Sequence, residues 1–334
     1  MQSNKRNKNG LKIFVSVLAI LVIGILGYVY SIYANVKDTM DTAYTPVEVE
    51  TFRTTNAGTV VDSSEAADGE SRTDVGALTP SELLEAGEPV SILLLGVDTG
   101  DLGRTEQGRS DSMVVVTINP HTQKTTLLSI PRDTYTEIVG SGNMDKINHA
   151  YAFGGTAMAI NTVQKLLDIP IDFYATVNMA GIKEIVDAVG GIAVESPLAF
   201  KQNGHAFIEG TNQLDGEAAL AFARMRYEDP AGDTGRQGRQ RLVIEGVIRK
   251  LATAETLLNY QNILETLSSN VQTSFQLSDF YTLQSQDYLG AVGNIEQQQL
   301  GGIGDMMDDI YYNFVDETEL ARVQVLLQAE LELE

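Results

Sequence analysis

Residues Ile13 to Val36 carry no charge, and from Ile13 to Tyr33 only Ser16 and Ser31 interrupt the apolar run as polar breaks. A helix needs ~20 apolar residues to cross a bilayer core, so 13–36 is long enough to span as a signal-anchor helix. Lys5, Arg6, Lys8 and Lys12 precede it. Basic residues stay on the cytoplasmic side, which makes 1–12 an inside tail and puts everything after 36 outside. A cleaved signal peptide is the alternative. It has a shorter apolar region and a small-residue cleavage site, which Tyr33-Ala34-Asn35 does not supply.

From 37 to 88 the pattern is lost. Ser, Thr, Ala, Gly and acids dominate, as in Asp62-Ser63-Ser64-Glu65, and such a stretch buries too little apolar surface to fold alone. It reads as an extracytoplasmic stalk, with VEVETF and TVV as short local strands at most. From 89 to 334 the periodicity returns. Val90–Val97 is a continuous apolar run suited to a buried strand, Ser112–Ile118 is rich in β-branched residues, and Thr125–Ile130 returns after the turn Asn119-Pro120-His121. Helical spacing marks Thr156–Asp168, Gly181–Val189, Leu214–Phe222, Gly235–Leu251, Leu257–Leu267, Leu277–Gln284 and Glu317–Glu330; Phe173–Val177 and Ile192–Glu195 read as strands. Interleaved strands and helices predict an α/β fold, a mixed central sheet with helices on both faces.

Composition narrows the chemistry. The 334 residues hold 23 basic and 45 acidic side chains, a net charge of −22, which argues against nucleic acid as a partner. With no cysteine, disulfides, thiolate metal sites and cysteine nucleophiles are excluded, and three scattered histidines argue against a His-rich metal site. Against that acidity, five arginines crowd one stretch: Arg224, Arg226, Arg236, Arg239 and Arg241. On a helix over 235–251, Arg236 and Gln240 project onto the apolar stripe of Val243, Ile244, Val247, Ile248 and Leu251. A guanidinium turned inward needs an anion. That anion is either Asp229 or Asp233 of a structural network, or a ligand held with help from the helix N-terminus.

A second cluster follows the sheet. Asp98 ends the first strand and Asp111 precedes the second, so neighbouring strands would bring both carboxylates to one sheet edge, where open α/β sheets bind ligands. Two carboxylates in oxygen-only surroundings suit Mg²⁺ completed by water and substrate phosphate, although both would also serve as loop caps. Arg132-Asp133 at a strand end joins the candidates, and Lys146 to Tyr151 offers mixed polar groups with His149. Gly103–Ser110 imitates a phosphate loop but leads into a strand instead of a helix, and no G-x-S-x-G occurs.

The ordered set LLLGVDTG, GRSDSM, SIPRDTY, KINHAYAFGG, DAVGGI, LDG and ARMRYEDPAGDTGRQGRQ, spread over 90–250, resembles the LytR–CpsA–Psr family of cell-wall enzymes. The resemblance implies an apolar cavity for a polyprenyl chain and an arginine cluster gripping its pyrophosphate. It gives Asp98 and Asp111 the metal role, with Mg²⁺ or Mn²⁺, and Arg109, Arg132, Arg224, Arg226 and Arg236 the phosphate role, with Gln240 supporting and Arg239 and Asp233 as neighbours. Asp98, Arg132, Arg226 and Arg236 become the catalytic set. The implied reaction joins an undecaprenyl-pyrophosphate-linked anionic glycan, a teichoic acid or capsule polymer, to peptidoglycan through a phosphodiester. The enzyme would act at the outer face of the cell membrane, in contact with its lipid, in what reads as a Gram-positive cell. Asp133, Asp229 and Asp98 are candidate bases for the acceptor hydroxyl. Two other readings stay open: a polyprenyl-pyrophosphate hydrolase, and a non-catalytic regulatory protein binding prenyl phosphates or wall polymers.

Overall fold

A computed structural model describes residues 43–48, 78–98, 108–253, 270–285 and 288–333. The tail at 1–12, the span expected at 13–36, the TVV strand and the helix expected over Leu257–Leu267 lie outside them. Among the described residues no helix is long and apolar enough to cross a membrane.

In chain order the elements are α1 (Pro80–Ala86), β1 (Val90–Val97), β2 (Ser110–Asn119), β3 (Lys124–Ser129), β4 (Tyr135–Ile138), β5 (Asn143–Lys146), α2 (Asn148–Leu167), β6 (Phe173–Asn178), α3 (Met179–Ala188) and β7 (Ile192–Ser196). There follow β8 (Phe200–Gln202), β9 (His205–Phe207), β10 (Gly210–Leu214), α4 (Gly216–Arg224), α5 (Gly232–Leu251), β11 (Val271–Thr273), α6 (Leu277–Ser285), α7 (Tyr288–Ala291), β12 (Ile295–Gln299), β13 (Ile303–Met307), β14 (Ile310–Phe314) and α8 (Glu317–Glu330). Six strands form the central sheet in the order β11-β6-β1-β2-β3-β12. The pairs β1–β2 and β2–β3 are antiparallel, whereas β1–β6 and β3–β12 are parallel, so the sheet is mixed as expected.

Strand alternation divides the apolar residues between two faces. Leu93, Leu95, Met113, Val115 and Leu128 bury against Ala159, Ile160 and Val163 of α2 and Val323 and Leu327 of α8. Ile92, Val114, Val116, Leu127 and Phe173 bury against Leu83 and Leu84 of α1 and Tyr288 of α7, with Ile244 and Ile248 of α5 packed alongside. A separate core around Phe200, Phe207 and Phe222 takes the opposite side of α5 through Val243. The apolar stripe of α5 is therefore shared between two cores, which fixes the helix across one end of the sheet.

Two stretches expected in the stalk belong to the folded body. Helix α1 begins at a reciprocal cap, Thr79 with Glu82, has Pro80 in its first turn, and ends on Gly87 in the left-handed region (φ 76°). Upstream, Thr45 N–H donates to Thr273 O at 2.9 Å, and the Tyr174 hydroxyl donates to Thr45 O. Helix α2 starts eight residues before the expected Thr156, because a kink at Gly154 and Gly155 (φ 66°) joins an extra turn to it. Helix α5 begins at Gly232, not Gly235.

Candidate phosphate-binding site

Strand β3 delivers Arg132 to the end of the sheet where β1 leaves and β2 enters. The bulge between Gly96 and Val97 sets Val97 opposite Ser110, so Asp98 and Asp111 both lie at that end of the sheet. Asp98 Oδ1 accepts the backbone N–H of Arg109 at 2.7 Å. Asp111 Oδ1 accepts Arg132 Nη1 at 2.7 Å. Arg132 Nε lies 3.6 Å from Asp133, whose other oxygen accepts Lys146 Nζ at 2.8 Å. Burial disfavours the Arg132 cation, but Asp111, Asp133 and Asp233 outweigh burial and hold its pKa above the ordinary value.

The second wall is the start of α5. Asp233, in its first turn, accepts Arg236 Nε at 2.9 Å and Gln237 Nε2 at 3.0 Å, and Arg226 Nε stands 3.7 Å away. Burial pushes the Asp233 pKa up, but Arg236, Gln237 and Arg132 together pull it below the usual carboxylate value. One carboxylate thus gathers cations from three places in the chain. At the N-terminus of α5 the Ala231 N–H donates to Asp229 Oδ1 at 2.8 Å and the Gly232 N–H to Asp229 O at 2.9 Å, while the partial positive charge of the helix end faces the same place.

The loop before α5 is held from below. Arg239 is fully buried. It donates through Nε to Phe222 O at 3.2 Å, through Nη2 to Met225 O and through Nη1 to Asp229, and it stands over the Phe200 ring at 5.4 Å. Burial works against the Asp229 anion, but Arg239 and the Ala231 N–H hold its pKa down. Gly235 makes room for this pair: a Cβ there would stand 1.9 Å from Asp229 Oδ2. With Met225 and Asp229 buried, Arg226 and Tyr227 between them point outward.

Of the residues singled out from sequence, Asp98, Arg109, Asp111, Arg132, Arg226, Asp233 and Arg236 line this end of the sheet and the α5 start. Arg224 is exposed at the end of α4, and Gln240 is half-buried one turn beyond Arg236. Two expectations need correction. Arg239 belongs to the interior, because its donors are taken by Asp229 and two carbonyls. Asp229 is therefore bound to Arg239 and is no base for a substrate. Two residues that the sequence names without a role gain one here: Lys146, which bonds to Asp133 from the short strand β5, and Arg241, buried on α5 against Gln297.

The LytR_cpsA_psr family model matches residues 51–329. A polyisoprenyl-teichoic acid–peptidoglycan teichoic acid transferase TagU from Enterococcus faecalis is 44% identical over 325 residues, covering 96% of this chain and 98% of that protein. A crystal structure described as a transcriptional regulator from Enterococcus faecalis superposes with TM-score 0.68 at 46% identity, covering 75% of this chain and 90% of that one. A structure of TagT bound to LIIa-WTA has TM-score 0.64 at 29% identity, covering 78% and 95%.

Proposed function

The chain belongs to the LytR–CpsA–Psr family, and from that premise we propose that it is a membrane-anchored transferase joining a polyprenyl-diphosphate-linked teichoic acid or similar anionic glycan to peptidoglycan. The observation that carries this reading is the gathering of Arg132, Arg226 and Arg236 around Asp233 at the N-terminus of α5, in a chain whose net charge is −22. Those guanidiniums, shared among Asp233, Asp111 and Asp133, present forked donors at one end of the sheet, and a diphosphate is the anion that forked donors match best. The named relatives support the substrate class, since they are teichoic acid transferases acting on polyisoprenyl-linked donors and peptidoglycan.

In this mechanism a peptidoglycan sugar hydroxyl attacks the phosphorus bonded to the glycan, and the lipid phosphate departs. Phosphoryl transfer asks the protein chiefly to position groups and neutralise charge. Arg226 and Arg236 hold the glycan-side phosphate from the helix side, and Arg132 holds it from the sheet side. Asp233 keeps Arg236 oriented through two nitrogens. Asp133, tied to Lys146 and beside Arg132, is the candidate this reading takes as acceptor of the hydroxyl proton.

The donor set also fits a divalent cation. Asp98 and Asp111 are each fixed by a hydrogen bond of the kind that orients metal-ligating carboxylates. Two carboxylates with water and phosphate oxygens are a donor set of the kind Mg²⁺ takes. Bound there, Mg²⁺ would supply charge neutralisation for the diphosphate.

The test is the full chain in detergent, incubated with a polyprenyl-diphosphate glycan and peptidoglycan oligomers and read by mass. A glycan–peptidoglycan phosphodiester, reduced about 10²–10³-fold by Arg236→Ala, is the expected result. Released glycan phosphate without coupling would replace the transferase with a hydrolase. Donor binding without any product would leave a binding protein.

A further inference from the structure

Below the arginine cluster, α5 carries a buried cation with no carboxylate in direct contact; Gln297 stands between it and Glu245, to which the Gln297 amide donates at 2.7 Å. Arg241 is nine-tenths buried. Its Nε donates to the neutral Gln297 Oε1 at 3.2 Å, and its Nη1 has no hydrogen-bond partner among the described residues. Burial pushes its pKa down, with nothing acting against it. Arg236 and Arg239 on the same helix each have an aspartate. A guanidinium withdrawn from water with no anion in direct contact is unfavourable, and its Nη1 is left with donors to spare.

Its position says which anion. The Arg241 Nη2 lies 3.7 Å from where a Cβ on Gly238 would stand, so the side chain leans back toward the helix N-terminus, as helical side chains do. Gly238 is five residues past Asp233, about 7.5 Å of helix rise. At that level the Gln237 Oε1 is also buried and unpaired. Opposite stand Gln297 of β12, paired with Leu127 of β3, and, two residues further along β3, the buried unpaired Ser129 Oγ. One turn deeper, Ile244 and Ile248 pack on Val114, Val116 and Leu127. Along α5 from its N-terminus the order is therefore Asp233, Arg236, Arg241, then the apolar Ile244 and Ile248.

We propose that Arg241 binds the lipid-side phosphate of the polyprenyl diphosphate and stabilises it as the leaving group. This rests on the transferase reading above. As the acceptor oxygen bonds to the glycan-side phosphorus, the bond from that phosphorus to the bridging oxygen breaks. The electron pair stays on the bridging oxygen, the lipid phosphate gains one negative charge, and the hydroxyl proton leaves to Asp133 or water. Arg241 meets that growing charge in a dry site, where a fixed donor acts most strongly.

The test compares full-length wild type, Arg241→Met and Arg241→Lys in detergent. Binding is measured for farnesyl diphosphate, farnesyl monophosphate and farnesol, and transfer kinetics for the glycan-linked donor. The expected result is that Arg241→Met weakens both phosphates tenfold or more, leaves farnesol unchanged and lowers kcat more than it raises KM, with Arg241→Lys recovering part of each loss. If Arg241→Met lowers Tm but leaves the preference for phosphate over farnesol intact, Arg241 is structural, paired with Gln237 by a small side-chain movement, and the proposal falls. If Arg241→Met does not fold, Arg241→Lys decides: unaltered phosphate affinity and kcat overturn the assignment. Wild type that fails to prefer farnesyl diphosphate over farnesol removes the transferase reading itself.

Discussion

Arg236 and Arg239 lie three residues apart on α5 and face different surroundings. Arg236 meets Asp233 at the mouth of the site, whereas Arg239 is sealed against Asp229, Phe222 O and Met225 O. Removing one partner of a sealed pair strands the other charge. Asp229→Asn should therefore cost about 3–5 kcal/mol in a denaturation experiment. The pH dependence follows from the same groups. Asp229 and Asp233 both titrate below the ordinary 3.8, so their contribution is complete above that value and is lost as pH falls through the depressed folded values. Tm should fall steeply below pH ~3.8, and less steeply in Asp229→Asn. The inward turn of Arg236 was legible in the sequence because the stripe of α5 is regular. The burial of Arg239 was not, since its partners come from α4 and the loop after it, and no spacing rule reports them.

At the scale of elements, the strands that frame the site were legible and the devices that aim it were not. Val90–Val97 and Phe173–Val177 are long apolar runs buried on both faces, so periodicity and composition agree. The hairpin β4–β5, which carries Lys146, has four-residue strands and half-exposed positions, too short for alternation to stand out. Helix α1 escaped for a different reason: its capping box is plain, but seven residues give barely two turns. Two glycines are required for different reasons, Gly235 for space and Gly155 for its backbone angle. Gly235→Ala would drive a methyl group into Asp229 and should cost about 1–3 kcal/mol, together with a loss of transfer activity as the Arg226 loop shifts. Gly155, at φ 66° and ψ −153° in the α2 kink, lies where L-residues are strained. Gly155→Ala should lower stability by about 1–3 kcal/mol, measurable by urea denaturation.

For the whole molecule, charge is segregated. In a chain of net −22, Arg132, Arg226 and Arg236 gather at one end of one sheet, while Arg249 and Arg322 pair with glutamates elsewhere; an anionic ligand would be drawn to the first place and repelled by the acidic remainder. Chelation of divalent ions should abolish transfer by the full chain while leaving Tm nearly unchanged, because the described fold is held by apolar cores independent of Asp98 and Asp111. The docked segment is different. Ala43 is buried and Thr45 bonds to the β11 edge and to Tyr174, so a chain starting at 50 should melt some degrees below one starting at 40.

That docking limits how far the site can travel. With a span ending at 36, as the sequence predicts, only residues 37–42 separate bilayer from body, and six residues reach at most about 20 Å. A leash that short turns the donor's supply into a two-dimensional problem. Turnover would follow the number of lipid carriers per area of membrane, and the wall polymer, not the enzyme, would have to cover the remaining distance.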